Sequence, residues 1–258
     1  MALPLAQSNA PATEMIDVSV ASMRDQSLLV AEHVNWRVEP GDYWAIAGLQ
    51  GSGKSDLLMT TGGVMPPVHG EYRLLGELMP IFDSERLKHR LRLGLAFETG
   101  QLFNHLTVAE NLTLPLRYHT NLGPAEARPM VQPLLEAMEI APWADSTPGT
   151  LGRNWQKRVG LARALALKPE VLLVDSPLTG LDVRHATWWL AFMDALSKGH
   201  PLLDSRQLTL VVTTADLRPW KGHARRFAVL NDKKFSVQGE WSQLENVAEE
   251  FVRELLTT

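Results

Sequence analysis

The segment from Gly48 to Ser55 carries the residues whose types and spacing point most directly to chemistry. It reads GLQGSGKS, the spacing of a phosphate-binding loop. Glycines let backbone N–H groups close around phosphate oxygens, because they carry no Cβ. The Lys54 ammonium would reach the terminal phosphates, and the Ser55 hydroxyl could ligate Mg²⁺. The segment therefore predicts a nucleoside triphosphate site, with contacts from Gly48, Gly51, Ser52, Gly53, Lys54 and Ser55.

A second chemical group follows a short apolar run farther along the chain. Val171 to Val174 predicts a buried parallel strand, and Asp175 comes directly after it. Ligands of open α/β sheets bind at the carboxyl ends of the strands, and a carboxylate there can hold Mg²⁺ beside phosphates. Such runs are common, so Asp175 is a strong candidate only together with the phosphate-binding loop.

Two elements must position that loop. Residues 43–47 are apolar and predict a strand before it, and residues 56–59 predict the start of a helix after it. The amino end of this helix would add a partial positive charge beside bound phosphate.

The remaining pattern predicts a single α/β domain with a helical insertion. Predicted strands cover 15–20, 28–38, 43–47, 71–78, 93–97, 171–174, 208–212, 227–230 and 235–237. Predicted helices cover 83–92, 158–167 and 244–256, and a helical pattern covers 106–144, broken by Gly123-Pro124 and closed by Pro142. Residues 1–13 are expected to form a flexible tail, so that residues 14–258 form the domain.

Composition narrows the classes of function. Of the 258 residues, 45% are hydrophobic and 21% are charged, as in ordinary globular proteins. The net charge of −4 provides no basic field for nucleic acid, so no nucleic-acid partner is expected. The absence of cysteine excludes disulfides and thiolate metal sites. No apolar run approaches the ~18–20 residues that a membrane-spanning helix needs.

Together these motifs resemble those of the ATP-binding-cassette (ABC) transporter ATPases. The segments that carry the resemblance are 97–103 at the family's glutamine-containing loop, 106–117 in its helical subdomain, 151–155 at its signature loop, and 175–182 at its metal-binding carboxylate and D-loop. The resemblance extends from about residue 15 to residue 256. Within the family, the stretch from 97 to 117 is most similar to the Mce/Mla-type ATPases, which drive phospholipid movement across bacterial envelopes.

The resemblance implies a P-loop NTPase fold with a RecA-like core, an antiparallel β-subdomain and a helical subdomain at about 98–164. It implies ATP and Mg²⁺ as cofactors, with Ser55 and Asp175 as metal ligands. Family members bind ATP between two head-to-tail cassettes, so Gly152, Arg153 and Asp182 would contact nucleotide in such a pair. The implied partners are a second cassette, identical or different, and an integral-membrane permease. The implied location is the cytoplasmic face of the inner membrane.

Four catalytic positions depart from the family's pattern. Ser176 replaces the glutamate that orients the attacking water, and a hydroxyl cannot act as a general base near neutral pH. Thr214 replaces the histidine that contacts the terminal phosphate, and Glu98 replaces the glutamine that couples Mg²⁺ to the membrane partner. The signature LGRNW at 151–155 lacks the family's serine and paired glycines. These changes predict slow hydrolysis or ATP binding used as a clamp, and pairing with an intact cassette would not restore a complete site.

Several residues could substitute for the missing groups. Arg153 could contact the opposite γ-phosphate, as arginine fingers do, although a solvated loop arginine is the simpler interpretation. Glu98 could ligate the metal or act as a base. Trp155 is expected to pack at an interface, and Trp188 and Trp189 to lie in the core or at dimer contacts.

Three functions stay open on the sequence alone. The first is the ATP-binding subunit of a membrane transporter, with lipid as a candidate cargo. The second is a regulatory or structural pseudo-ATPase that binds ATP without significant turnover. The third is a soluble ABC ATPase acting on nucleic acid or ribosomes, which the lack of a second cassette or a long insertion disfavours. The signature-like helix and the D-loop have no role in a P-loop kinase.

Overall fold

The computed structural model describes residues 10–79, 87–247 and 250–257. Its strands are β1 (Thr13–Ala21), β2 (Leu29–Val38), β3 (Tyr43–Ala47), β4 (His69–Leu74), β5 (Glu77–Leu78), β6 (Leu93–Ala96), β7 (Val171–Val174), β8 (Thr209–Thr214), β9 (Arg226–Asn231) and β10 (Lys234–Gly239). Its helices are α1 (Lys54–Thr61), α2 (Leu87–Arg90), α3 (Val108–Thr120), α4 (Pro124–Met130), α5 (Gln132–Ala137), α6 (Arg153–Leu165), α7 (Val183–Lys198), α8 (Trp241–Leu244) and α9 (Glu250–Thr257). No helix within these ranges is long and apolar enough to cross a bilayer.

The strands of the described residues join in one mixed sheet. Its order is β5-β4-β1-β2-β10-β9-β3-β8-β7-β6. The run from β9 through β3, β8 and β7 to β6 is parallel. The pairs β9–β10, β1–β2, β1–β4 and β4–β5 are antiparallel, and one parallel bridge joins β10 to β2. The parallel half holds the phosphate-binding loop, and the antiparallel half flanks it.

The parallel strands are covered on both faces, which explains their continuous apolar sequences. All residues of β3 and β7 are buried. Because side chains alternate along a strand, Leu172 and Val174 pack into one core with α3, α6 and α7. Val171 and Leu173 pack into the other, with α1 and the antiparallel strands. Both cores hold the carboxyl ends of β3 and β7 in fixed positions.

The helical insertion lies between β6 and β7. A capping box starts α3, with the Glu110 N–H donating to Thr107 Oγ1 at 3.2 Å and the Thr107 N–H donating to Glu110 Oε2 at 2.7 Å. Buried Asn111 then fixes the preceding loop, because its side chain bonds both the N–H and the carbonyl of Phe103. The local sequence of α3 therefore also positions the loop that leaves β6.

The predicted α/β fold, with its antiparallel β-subdomain and helical insertion, is confirmed. The predicted break at Gly123-Pro124 is confirmed, since α3 ends at Asn121, which turns left-handed at φ 57°, and α4 begins at Pro124. The remaining part of the stretch divides again, with α5 beginning at Gln132. The helix expected at 158–167 begins earlier, at Arg153.

Some predicted boundaries fall on residues outside the described ranges. These are residues 1–9 of the expected tail and residues 83–86 of the expected helix at 83–92. Ala12 and Thr13 are buried, and the Ala12 N–H donates to the Val38 carbonyl at 2.7 Å. The division of the chain at residue 14, and of a helical subdomain at 98–164, stays a prediction.

Candidate nucleotide-binding site

The loop from Gly48 to Ser55 connects β3 to α1 and needs its glycines. Gly51 and Gly53 have φ of 82° and 92°, a left-handed conformation that side chains disfavour. A Cβ at Gly53 would lie 2.5 Å from the Val30 Cβ, and one at Gly48 would lie 2.5 Å from the Leu230 carbonyl oxygen. The backbone therefore forms a cradle that other residues would fill.

The Lys54 side chain lies across this cradle. Its Nζ donates to the carbonyl oxygens of Gly48 and Leu49 at 2.6 and 2.7 Å. Burial lowers the pKa of Lys54 to about 8, although the charges of Asp175 and Glu98 act to raise it. A phosphate group bound in the loop would add negative charge beside the ammonium and raise this pKa again.

We expect the affinity for ATP to fall as the pH rises above about 8. Below this pKa the free protein already carries the Lys54 ammonium, and above it binding must take up a proton. By linkage the loss approaches about tenfold per pH unit. Titration with a fluorescent ATP analogue at pH 7, 8 and 9 measures it. Lys54→Arg keeps its charge and should give a flat profile, so an equally flat wild-type profile would contradict the assignment.

Asp175 ends β7 beside β8. It is buried, and its Oδ1 accepts a hydrogen bond from the Thr213 hydroxyl at 2.6 Å. The Ser176 N–H in turn donates to Thr213 Oγ1 at 2.9 Å. This chain of bonds fixes the carboxylate at the carboxyl end of the sheet. Together with the Ser55 hydroxyl it offers the hard oxygen ligands that suit Mg²⁺.

The phosphate loop lines one cleft of about 510 Å³, and Ser176, the neighbour of Asp175, lies at its wall. Besides the phosphate loop, its lining includes Met23, Leu28, Val30, Glu98, Ser176, Thr179 and Ala215. Met23, Leu28 and Val30 give one wall an apolar surface, and none of the described residues that line the cleft is aromatic. The structure therefore brings the phosphate loop, Glu98 and Ser176 together, as the sequence predicted.

A second cleft, of about 540 Å³, lies elsewhere and contains none of these residues. Its acidic side chains are already paired. Arg92 Nε donates to Glu170 at 2.6 Å, and Lys168 Nζ to Asp204 at 2.6 Å. This cleft does not extend the nucleotide site.

Glu98 lies half-buried on the loop that leaves β6. That loop is held against α6 at Gly100, because a Cβ at Gly160 would lie 2.6 Å from the Gly100 Cα. Arg163 Nη2 adds two hydrogen bonds of 2.9 Å, to the carbonyl oxygens of Gly100 and Gln101. The position of Glu98 thus depends on α6.

Lys157 is a functional candidate that the sequence analysis missed. It is buried, and its Nζ donates to the carbonyl oxygens of Thr179 at 2.6 Å and of Ser176 and Pro177 at 3.4 Å. Burial lowers its pKa, and the charges of Glu98 and Asp175 oppose that shift. The sequence held one indication that this side chain lies on the buried face of α6: Lys157 precedes the buried Leu161 by one helical turn.

Thr214, at the position of the family's histidine, is not among the residues that line the cleft. Its hydroxyl closes a turn, donating to the Asp216 carbonyl at 2.7 Å and accepting the Asp216 N–H at 3.1 Å. Ala215 lines the cleft instead. The part that position 214 plays in catalysis stays a prediction.

The signature segment lies outside the cleft of its own chain. Gly152 caps α6 without a side-chain hydrogen bond, and both Gly152 and Arg153 are exposed. Asp182 caps α7, its Oδ1 accepting the His185 N–H at 2.9 Å. None of the three predicted contacts lines the cleft, so their role in a pair of cassettes stays a prediction.

An aromatic cluster anchors the signature segment to α7. Trp155 packs against Trp143 and His185, at ring-centroid distances of 4.8 and 5.2 Å. The Arg158 guanidinium lies 4.6 Å from the Trp155 ring and 3.6 Å from that of Trp188. Trp155 thus packs against aromatic rings of its own chain and remains half-buried, and its role at an interface stays a prediction.

Comparisons with known proteins agree with this geometry. The sequence profile described as "ABC transporter" matches residues 31–179. The intermembrane phospholipid transport system ATP-binding protein MlaF of Escherichia coli K12 is 32% identical, over 94% of this chain and 88% of that protein. Its Haemophilus influenzae counterpart is 29% identical, over 89% and 85%.

Solved structures give the same result. One is a dimeric post-hydrolysis structure of the ATP-binding cassette MJ0796, bound to ADP and Pi. It is 26% identical in sequence, with a TM-score of 0.75, and the match covers 86% of this chain and 95% of that one. The cbiO1 structure from Clostridium perfringens has a TM-score of 0.73 at 22% identity, covers 95% and 94%, and supports the fold alone. By sequence profile, overall similarity and the geometry of its phosphate loop, the chain belongs to the ABC transporter family.

Proposed function

We propose that the chain binds ATP with Mg²⁺ in the cleft at the phosphate loop and powers the transport of phospholipid by a membrane permease. The observation that carries ATP binding is the cradle from Gly48 to Ser55, with Lys54 lying across it. The apolar wall of Met23, Leu28 and Val30 supplies a surface for the adenine base. The phospholipid cargo is supported by the MlaF relatives, which match most of this chain.

Ser55 and Asp175 are the residues that would hold Mg²⁺. When bound, this ion neutralises charge on the phosphate oxygens and orients them for attack. The phosphate loop supplies backbone N–H donors to the same oxygens, and Lys54 supplies a mobile cation. Thr213 keeps the Asp175 carboxylate in place, since its hydroxyl donates at 2.6 Å.

The proposed assembly contains two cassettes and a permease. A second cassette, identical or different, would place its own signature segment over this chain's phosphate loop. The exposed Gly152 and Arg153 would serve the partner's nucleotide in return. The permease supplies the membrane-spanning part, and the chain docks on it at the cytoplasmic face of the inner membrane.

The test is to purify the assembly through a tag on this chain and to reconstitute it in phospholipid vesicles. We expect a permease to co-purify, and labelled phospholipid to move between membranes only when ATP and Mg²⁺ are added. A reconstituted assembly that moves labelled phospholipid equally well without ATP, or that moves an amino acid or another solute instead, would contradict the proposal.

A pseudo-ATPase is the second candidate, and one observation favours it. Ser176 lines the cleft where the family's pattern has a glutamate, and the hydroxyl of Thr214, at the position of the family's histidine, is bonded to the Asp216 carbonyl. In that case the chain would bind ATP and hold the assembly together without turnover. Retained binding of ATP by an assembly whose ATP turnover is undetectable would favour this function.

A further inference from the structure

Hydrolysis of ATP needs a group that can accept a proton from water, and the cleft offers few. Among the described residues, its lining carries hydroxyls, the cations of Arg24 and Lys54, and the carboxylates of Asp56 and Glu98, while the buried Asp175 carboxylate is assigned to Mg²⁺. Hydroxyls and cations do not accept protons near neutral pH. Asp56 is already engaged, because its Oδ1 accepts the Met23 N–H at 2.7 Å. Glu98 is therefore the carboxylate available for this task.

The surroundings of Glu98 support the same role. Among the residues that the structure describes, no hydrogen bond to its carboxylate occurs. It shares the cleft with Ser176, the position at which the family's pattern has its glutamate. The contact between Gly100 and Gly160 fixes its loop on α6. The Glu98 carboxylate thus lines the same cleft as Ser176, where the family's glutamate is missing, and its loop is held in place by α6.

An additional carboxylate beside phosphates needs compensating charge. Lys54 and Lys157 are both buried, and the charges of Glu98 and Asp175 raise the pKa of each, against the larger effect of burial. Two ammonium groups therefore accompany two carboxylates. Lys157 also bonds the carbonyl oxygens of Ser176 and Thr179, so it holds the wall of the cleft beside Ser176.

We infer that Glu98 is the general base of this cassette, a role transferred from position 176 to the loop that leaves β6. The inference depends on the proposed binding of ATP. The oxygen of a water molecule bonds to the terminal phosphorus while the bond from that phosphorus to the bridging oxygen breaks. One proton of the water passes to the Glu98 carboxylate and then to solvent. The products are ADP and inorganic phosphate.

Glu98→Gln separates this role from a structural one, because it has opposite effects on binding and turnover. Single-turnover hydrolysis should fall about 10²–10⁴-fold, the usual contribution of a general base. The affinity for a fluorescent, non-hydrolysable ATP analogue should rise about threefold or more, since a negative charge near the phosphates is removed. Glu136→Gln, on the exposed surface of α5, is the matched control and should change neither.

The double variant Glu98→Gln with Ser176→Glu returns the carboxylate to position 176, and we expect it to recover turnover lost by Glu98→Gln alone. Unchanged or faster hydrolysis by Glu98→Gln would overturn the inference. The inference would also be overturned if the wild-type protein binds the analogue but hydrolyses ATP no faster than Lys54→Ala does. In that case the proposed binding of ATP would still hold. A wild-type protein that does not bind the analogue would overturn both proposals.

Discussion

The affinity for ATP is expected to fall at least about 100-fold when Lys54 is replaced by alanine. In the described structure the Lys54 ammonium donates to two carbonyl oxygens of the phosphate loop, those of Gly48 and Leu49. Phosphate oxygens would replace these acceptors, and a charge-assisted hydrogen bond contributes about 1.5–3 kcal/mol. Two such bonds amount to about 3–6 kcal/mol, or two to four orders of magnitude in Kd.

Equilibrium titration with a fluorescent ATP analogue measures the effect of Lys54→Ala. Lys168→Ala is the control, because Lys168 is half exposed and pairs with Asp204 outside the cleft. The melting temperature should not fall, since burial disfavours the charged form of Lys54 in the folded protein. Binding of the analogue with the wild-type Kd would mean that the loop does not hold the phosphates.

Replacing Gly160 with alanine is expected to slow hydrolysis about 100-fold at nearly unchanged affinity for ATP. The new Cβ would lie 2.6 Å from the Gly100 Cα and 3.0 Å from its carbonyl oxygen, so the loop that carries Glu98 must move. Alanine favours the helix by about 1 kcal/mol, but overpacking against backbone costs about 1–3 kcal/mol. The steric effect prevails, and the melting temperature should fall by a few degrees.

Single-turnover hydrolysis and analogue binding, measured on one preparation, test the effect of Gly160→Ala. Gly149→Ala is the matched control, because no atom lies within 4 Å of the Cβ that it would add. Equal loss of binding and hydrolysis would indicate general unfolding of the cleft. Normal hydrolysis would show that the loop tolerates displacement, and that its contact with α6 does not position Glu98.

Local sequence was sufficient to predict those parts of the site and fold that lie within one short segment of the chain. The spacing from Gly48 to Ser55 predicted the phosphate loop, since strand, turn and helix follow one another without interruption. Asp175 was predicted for a similar reason, as a carboxylate directly after a strand that is buried on both faces. The capping box of Thr107 and Glu110 likewise marks the start of α3 in the sequence alone.

Tertiary contacts account for what the sequence could not predict. Lys157 gains its importance from carbonyl oxygens about 20 residues away, which only the fold brings together. Thr214 was assigned by its place directly after Thr213, and only the structure shows that its hydroxyl forms a local turn with Asp216 while Ala215 lines the cleft. The packing of Trp155 against Trp143 and His185 is likewise a tertiary contact that nothing in the sequence reveals.

The cluster of Trp143, Trp155 and Trp188 around Arg158 gives this cassette an intrinsic fluorescent reporter. Trp155 is half-buried directly beside the exposed turn at Gly152 and Arg153, whereas Trp189 and Trp220 lie deep in the core. Closure of a second cassette over that turn would remove water from one indole and leave the core indoles unchanged. Assembly of the two halves could therefore be followed in real time by emission wavelength, without attaching a dye to either chain.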